Sequence, residues 1–192
     1  MRTFLAVDLS SKLEKTIGHW VNHHIEAFPE GSIRWIDPSM LHLTVKFLGE
    51  VEASKIDPIR NAVAAIAHDT PMLELRIAGF GAFPNRFRPR VLWLGIEEKA
   101  EELVGLHWRL NRALGPLGFK PDSKGFTPHL TIGRARRRTD KSVQDGIAAA
   151  AQQIEVGVLG SVDVSELVFY KSSFRATGPV HEVIDRFHFD EG

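Results

Sequence analysis

The sequence has 192 residues, of which 43% are hydrophobic and 25% are charged, a composition that indicates a folded globular protein and excludes a disordered chain or a fibre. Lys plus Arg and Asp plus Glu each total 24, so the chain has no net charge and any site for a polyanion must be local. The absence of cysteine excludes disulfides, thiol nucleophiles and thiolate metal sites.

The N-terminal stretch MRTFLAVDLSSKLEK contains an apolar run that is interrupted by charges at Asp8 and Lys12. This run is too short for a signal peptide or a membrane span. We therefore expect a cytoplasmic protein with no membrane partner, which also suits a chain without cysteine.

In the first half of the chain, TFLAVDL predicts a buried opening strand. Ser10 or Ser11 can cap the helix that follows, and Pro-Glu-Gly at 29–31 ends it. The stretch IRWIDPSMLHLTVKFLG predicts two strands separated by a turn at Pro38, and apolar residues at helical spacing from Ile56 to Ile66 predict a second helix.

In the second half, LELRIAGFGAFP and RVLWLGI predict an antiparallel pair of strands, because the loop between them is short. A helix with leucines from Leu103 to Leu114, the strand PHLTIGRA, a short helix in SVQDGIAAAAQQI and a closing pair of strands follow. Strands and helices recur in both halves, so we predict an α+β fold.

Arginine residues gather in two short stretches that separate or follow predicted strands. Each cluster is either a solvated loop or a local site for phosphate groups. The clusters are Arg86, Arg88 and Arg90, and Arg134, Arg136, Arg137 and Arg138.

The motif His-Leu-Thr followed by Val or Ile occurs at 42–45 and again at 129–132. Composition alone predicts fewer than one His-x-Thr triplet, and the chain contains three. The third, His68-Asp69-Thr70, ends a predicted helix, and we interpret it as a chance match. One His and one Thr on a half-buried strand are usually hydrogen-bonded structural residues, but the repeated motif favours a functional pair.

Side chains alternate along a strand, so His42 and Thr44 share one face, and His129 and Thr131 do the same. If the two strands face each other, two imidazoles and two hydroxyls line one cleft. A neutral imidazole can take a proton from water, a protonated one can give a proton to a leaving oxygen, and the hydroxyls can bind nonbridging oxygens. This arrangement suits phosphoester hydrolysis.

Arg134 and Lys46 can complete such a site. Gly133 can break the strand and let Arg134 turn back toward a phosphate, which strict alternation would forbid. Lys46 shares the predicted face of His42, although a solvated surface position is the simpler interpretation.

These residues resemble the 2H phosphoesterases, and more narrowly the RNA 2′,3′-cyclic phosphodiesterases also called 2′-5′ RNA ligases. The similar segments cover nearly the whole chain in order: RTFLAVDL, IRWIDPSMLHLTVKFLGEV, FGAFPNRFRPRVLWLGI, GFTPHLTIGRAR and LVFYKSSFRATGPVHEVI. The resemblance implies one domain over residues 1–192, made of two intertwined lobes. Each lobe has an antiparallel sheet with flanking helices, and the lobes surround a central cleft with a pseudo-two-fold relation.

The resemblance also implies hydrolysis of RNA or nucleotide 2′,3′-cyclic phosphate ends to 2′-phosphomonoesters, with no metal and no cofactor. Carried over, His42 and His129 are the catalytic pair, and Thr44, Thr131 and Arg134 bind the phosphate. We assign His42 as the acid for the departing O3′ and His129 as the base for water, although the sequence does not distinguish the reverse assignment. We expect a monomer, because no unused apolar stripe is evident.

Three further ring-bearing residues lie near the predicted motifs or depart from the family pattern. The family often has Tyr where this chain has His181, which we interpret as a strand substitution. Trp35 and Phe47 can stack a base, but Phe47 lies on the predicted core face with Leu43, which favours packing.

Two other functions stay open. A 2′-5′ RNA ligase would use the same histidines with an RNA hydroxyl in place of water, provided that a second RNA end is held at high effective concentration. A non-catalytic module that binds RNA ends would need the arginines but not two titrating groups. A metal hydrolase is disfavoured, because neither motif has another His or carboxylate at ligand spacing.

Overall fold

The computed structural model describes residues 1–121, 125–137, 139–175 and 178–190. Arg138 of the second arginine cluster lies outside these residues. None of the helices in the described ranges is long and apolar enough to cross a membrane.

Nine strands and four helices follow one another along the described parts of the chain, with short 3₁₀ turns between some of them. In order they are β1 (Arg2–Asp8), α1 (Ser11–His24), β2 (Ile33–Trp35), β3 (His42–Glu50), α2 (Ile56–His68), β4 (Leu73–Phe83), β5 (Val91–Glu98), α3 (Ala100–Leu114), β6 (His129–Ala135), α4 (Lys141–Gln153), β7 (Val158–Val164), β8 (Glu166–Arg175) and β9 (Gly178–His188).

The strands form two antiparallel sheets. The first sheet has the order β3-β1-β8-β9, and the second has the order β2-β6-β5-β4-β7. The first sheet thus joins the two ends of the chain, while β2 from the first half forms an edge of the second sheet. The predicted α+β class with antiparallel sheets is confirmed.

The helices cover the sheets with the apolar faces that their spacing predicts. On α3, the residues Leu103, Leu106, Leu110 and Leu114 are fully buried. The helices α2 and α3 pack together and contact β9 and β3 of the first sheet, whereas α1 contacts β7 of the second. Each sheet therefore has its own helical layer, and the other face of β3 and β6 is left for the site.

The first helix begins and ends for local reasons. The Ser10 side chain caps it by accepting a hydrogen bond of 3.3 Å from the backbone N–H of Leu13. Ile17 and Val21 are buried, but α1 ends at His24 and Ile25 is 37% exposed, so the helical pattern stops before the predicted Pro-Glu-Gly boundary.

The strand β7 was not predicted. Its sequence VLGSVDV contains a glycine, a serine and an aspartate, and only Val162 and Val164 of its side chains are buried. β7 lies at the edge of the second sheet, so it pairs with one neighbouring strand only and can form with few buried apolar side chains. The apolar signal is therefore too weak to identify the strand.

Candidate active site

The two His-Leu-Thr motifs meet in space. His42 begins β3 in the first sheet, His129 begins β6 in the second, and these two strands contact each other between the sheets. We use the word cleft for the surface lined by His42, Thr44, His129, Thr131 and Arg134. Each sheet contributes one motif to it.

The two catalytic candidates have the same backbone anchor. Nδ1 of His42 lies 3.0 Å from the carbonyl oxygen of Met40, and Nδ1 of His129 lies 2.7 Å from that of Thr127, in both cases two residues earlier. A carbonyl oxygen only accepts, so each ring must carry a proton on Nδ1 and donate it there. When either ring is neutral, its Nε2 is left to accept a proton.

Aromatic side chains pack against each imidazole ring. The His42 ring stacks on Phe4 with a centroid distance of 4.9 Å. The His129 ring meets the edge of Phe83 at 4.9 Å and lies 6.0 Å from Trp93. Both imidazoles are thus fixed by a hydrogen bond and by packing, which preorganises the direction of Nε2.

Burial lowers the pKa of both histidines from its usual value. The carbonyl of Met40 and the carboxylate of Asp8 oppose this shift at His42, while the charges of His181 and Arg134 add to it. At His129 the carbonyl of Thr127 opposes the shift, and the charge of Arg134 again adds to it. The charge of the Arg134 guanidinium therefore acts on both rings.

The two threonines have the predicted orientation. Thr44 and Thr131 are partly exposed, whereas the alternating apolar residues are buried. Within the described residues, neither hydroxyl has a hydrogen-bond partner in the protein, so both are available to a ligand. The buried alternating residues are Leu43, Val45, Leu130 and Ile132, each no more than 1% exposed.

A β-bulge in β3 overturns two expectations. Thr44 pairs with Ala6 of β1, and Lys46 pairs with the adjacent residue Leu5. Val45 is therefore an extra residue in β3, and the alternation of the side chains reverses after it. Lys46 is consequently buried, only 2% exposed, and its Nζ donates to the carbonyl of Lys120 at 3.1 Å. Lys46 does not share the His42 face and is not a surface residue.

The same bulge moves Phe47 to the cleft side of the sheet. Phe47 pairs with Phe4, whose ring stacks on His42, and is 59% exposed. The expectation that Phe47 packs in the core is wrong, because it assumed unbroken alternation from Leu43.

An equivalent bulge in β6 presents Arg134. Thr131 pairs with Trp93 of β5 and Gly133 pairs with Leu92, so Ile132 is the extra residue. Arg134 is exposed on the same side as Thr131, and the predicted break of alternation at Gly133 is present. Phe47 and Arg134 occupy equivalent positions, each five residues after its motif histidine.

The residues that the sequence did not identify surround His42. The His181 ring lies edge-on to it at 5.2 Å, and burial lowers the pKa of His181. Nδ1 of His181 is buried without a hydrogen-bond partner in the described structure. The interpretation of His181 as a simple strand substitution therefore omitted a contact with the site, for which the departure from the family residue was the available signal.

Asp8 is the one carboxylate that shifts the pKa of either catalytic candidate among the described residues. Its two oxygens accept the hydroxyl of Tyr170 at 2.7 and 2.8 Å, and Asp8 is the pairing partner of His42 between β1 and β3. In the described ranges, no group of three His, Asp or Glu side chains is spaced to hold a metal ion.

Comparisons with known proteins show similar sequences and folds over nearly the whole chain. A family model described as the 2′-5′ RNA ligase superfamily matches residues 11–173. The chain is 31% identical to an RNA 2′,3′-cyclic phosphodiesterase of Thermotoga maritima over 100% of this chain and 97% of that protein. It is also 31% identical to one of Methanothermobacter thermautotrophicus over 97% of this chain and 98% of that protein. A crystal structure of E. coli LigT complexed with 3′-AMP matches with a TM-score of 0.79 and 26% identity, covering 99% of this chain and 98% of the other.

Proposed function

This chain belongs to the 2′-5′ RNA ligase superfamily, and we propose that it hydrolyses RNA 2′,3′-cyclic phosphate ends to 2′-phosphomonoesters with His42 and His129 as acid and base. The observation that carries the proposal is the shared anchor of the two rings. Each donates Nδ1–H to a backbone carbonyl two residues earlier and leaves Nε2 free. Two such rings, brought together from separate sheets, can take up one proton and deliver another.

The reaction uses one imidazole in each protonation state. Neutral His129 takes a proton from water at Nε2 as the water oxygen attacks phosphorus. The bond between phosphorus and O3′ breaks, and protonated His42 gives its proton to the departing O3′. The product carries a phosphate on O2′ and a free 3′-hydroxyl, and the proton balance is restored when the two rings exchange a proton through solvent.

The negatively charged oxygens of the cyclic phosphate must be bound by hydrogen-bond donors that keep their protons at neutral pH. The hydroxyls of Thr44 and Thr131 and the guanidinium of Arg134 supply them, because all three lie on the cleft side of their strands. Donors aimed at the nonbridging oxygens stabilise the charge that builds up as water adds. No metal ion is required in this scheme.

Asp8 supports the assignment of His42 as the acid. A carboxylate next to an imidazole favours the protonated ring, and Asp8 raises the pKa of His42. No carboxylate in the described residues does so for His129. Asp8 therefore favours the protonated form of His42 and has no counterpart at His129 among the described residues.

We further infer that the partners are RNA ends or nucleotide 2′,3′-cyclic phosphates, and that the protein acts as a monomer in the cytoplasm. Residues 1–192 form one domain of two intertwined lobes in this proposal. The mixed strand order of the first sheet, which joins both ends of the chain, supports the single domain.

The test is hydrolysis of a nucleoside 2′,3′-cyclic phosphate in excess chelator by the wild type, His42→Ala and His129→Ala. We expect chelator-resistant formation of the 2′-phosphate and a loss of at least about 10²-fold in kcat for each variant, the usual range for removal of a general acid or base. His68→Ala is the matched control, since His68 belongs to the third His-x-Thr triplet but ends α2 on the surface.

Full activity in either variant of the motif histidines would refute the two-histidine mechanism. Binding without turnover by the wild type would support an RNA-end-binding module instead. Adding an RNA with a 5′-hydroxyl end tests ligation, because a new 2′-5′ linkage would identify the ligase reaction.

A further inference from the structure

The edge strand β2 places a second arginine directly opposite Arg134. In the pairing of β2 with β6, Ile33 lies opposite Ala135, Arg34 opposite Arg134, and Trp35 opposite Gly133. Residues that are directly opposite in a sheet share a face. Ile33 is buried on the other face, so the exposed Arg34 side chain lies on the cleft side with Arg134.

Arg34 and Arg134 form a pair of like charges across two strands, as do Glu74 and Asp163 of β4 and β7. By contrast, Arg76 pairs with Glu98, and Lys171 pairs with Glu182, each as an ion pair between residues in register. Like charges directly opposite each other destabilise a sheet.

Among the residues that the structure describes, no carboxylate forms an ion pair with Arg34 or Arg134. Burial lowers the pKa of Arg134, and the charge of Arg34 lowers it further. In the described structure, neither guanidinium makes a hydrogen bond or an ion pair. A ligand with more than one negative charge would relieve the repulsion and occupy both groups.

Arg34 lies farther from the reaction than Arg134 does. The charge of Arg134 lowers the pKa of both His42 and His129, whereas Arg34 is not among the groups that shift either ring. β2 lies outside β6 at the edge of the sheet, and neighbouring strands are about 4.8 Å apart. Arg34 is therefore placed for a phosphate next to the reacting one.

The positive stripe continues just beyond the end of β6, which is at Ala135. Arg136 follows Arg134 by two residues and is exposed, and its Nε donates to the carbonyl of Gly31 at 2.8 Å. The charges therefore extend from the cleft toward the outside of the molecule. A free nucleoside cyclic phosphate has a single phosphate and cannot use such a stripe.

We propose that Arg34 binds the phosphodiester adjacent to the cyclic phosphate, on its 5′ side, so that the cleft selects the end of an RNA chain over a single nucleoside cyclic phosphate. This inference rests on the proposed function, and it adds a second phosphate site to it. Arg34 is a specificity residue in this scheme, with no part in proton transfer.

The test compares two substrates with one variant. One is a nucleoside 2′,3′-cyclic phosphate with a 5′-hydroxyl, and the other is a dinucleotide that ends in the same nucleoside 2′,3′-cyclic phosphate. For Arg34→Ala we expect kcat/KM to fall about tenfold on the dinucleotide, as for loss of one charged hydrogen-bonded contact, and to stay within about twofold on the mononucleoside. Arg34→Lys keeps the charge, and Arg112→Ala removes an exposed arginine of α3 as the matched control.

Salt dependence gives a second readout. Loss of one phosphate contact to a single strand should reduce the slope of log kcat/KM against log salt by about 0.7 on the dinucleotide only. An equal loss on both substrates would overturn the proposal, because Arg34 would then act on the cyclic phosphate or on the fold. Unchanged kcat/KM on both substrates would overturn it as well. The proposed function is judged separately, by turnover of the mononucleoside substrate by the wild type.

Discussion

A single backbone hydrogen bond decides what each histidine can do. If Nδ1 were free, either nitrogen could face the substrate and the neutral ring would have no fixed tautomer. The bonds to the carbonyls of Met40 and Thr127 remove this freedom. Because the two rings are then chemically equivalent, only their surroundings can separate the acid from the base. The charge of Asp8 raises the pKa of His42 and the charge of His181 lowers it, and neither group acts on His129.

The pH dependence of Asp8→Asn tests which ring is the acid. Burial lowers the pKa of both rings below the usual value of about 6.5, so we expect the bell-shaped kcat/KM of the wild type to have its maximum on the acidic side of pH 6.5. Removing the carboxylate lowers the pKa of His42 further, because Asp8 raises it. If His42 is the acid and has the higher pKa of the two rings, the alkaline limb moves to lower pH and the acidic limb stays in place.

The matched control for this pH profile is Glu166→Gln. Glu166 bonds to Arg186 near Asp8 and is not among the groups that shift His42. Movement of the acidic limb in Asp8→Asn would reverse the two assignments. An unchanged profile would show that Asp8 does not act on His42.

Phe47 offers an exposed aromatic face on the same side of the sheet as Phe4 and His42. We expect Phe47→Ala to raise KM about tenfold or more with a smaller effect on kcat, because stacking of a base on an aromatic side chain contributes about 1–3 kcal/mol. Thermal stability should change little, since Phe47 is 59% exposed.

Steady-state kinetics of Phe47→Ala and a melting curve check this prediction. Trp108→Ala is the control, as Trp108 is an exposed aromatic residue of α3. A large fall in Tm with unchanged KM would mean that Phe47 packs rather than stacks.

At the scale of elements, side-chain orientation is predicted correctly from the sequence only as far as the bulges in β3 and β6. Alternation correctly places His42 and Thr44 opposite Leu43, but it fails after Val45, where Lys46 turns inward and Phe47 outward. In β6, Gly133 signals the break and the position of Arg134 follows from it. β3 has no glycine at the equivalent place, where Lys46 stands, so its bulge depends on pairing with β1 and is not visible in the local sequence.

Gly133 is required by the close approach of β2. A Cβ added there would lie 2.8 Å from Cγ2 of Ile33 and 3.1 Å from Cε3 of Trp35. We expect Gly133→Ala to lower the free energy of unfolding by about 1–3 kcal/mol through overpacking. It should also lower kcat/KM, because Arg134 is the next residue and Arg34 lies on the strand that must shift.

Denaturant unfolding and kinetics of Gly133→Ala measure both effects. Gly157→Ala is the matched control, since a Cβ at Gly157 meets nothing within 4 Å. If the Gly133→Ala protein is less stable but fully active, the position of β2 does not affect the function of the cleft.

At the scale of the whole molecule, the order of the elements other than β7 follows from the sequence pattern, and the two antiparallel sheets follow from the family resemblance. Which strands pair between the two halves of the chain follows from neither. Periodicity identifies β1 and β8 as strands, but nothing in either segment states that they are neighbours. That pairing is a tertiary contact between the two ends of the chain. The sequence likewise suggested a cleft from the repeated motif, but not its neighbours. Asp8 comes from the pairing of β1 with β3, Trp93 from the pairing of β5 with β6, and His181 from β9.

The intertwined topology predicts how the molecule unfolds. β1 lies between β3 and β8, so the first sheet is incomplete without the C-terminal strands, and β2 ties the N-terminal half to the second sheet. Neither half of the chain can then keep its own core while the other unfolds. We expect a single cooperative transition over both sheets, as is usual for one domain of this size.

Tryptophan fluorescence can follow the two sheets separately. Trp93 lies on β5 of the second sheet, and Trp108 lies on α3, which packs on the first. Variants that keep only one of these tryptophans, with phenylalanine at the others, should give coincident denaturation midpoints and equal slopes. Two separate midpoints would mean that the two sheets fold independently and that the shared strands do not couple them. Since the cleft requires β3 and β6 at once, coincident transitions would also mean that the site exists only in the fully folded protein.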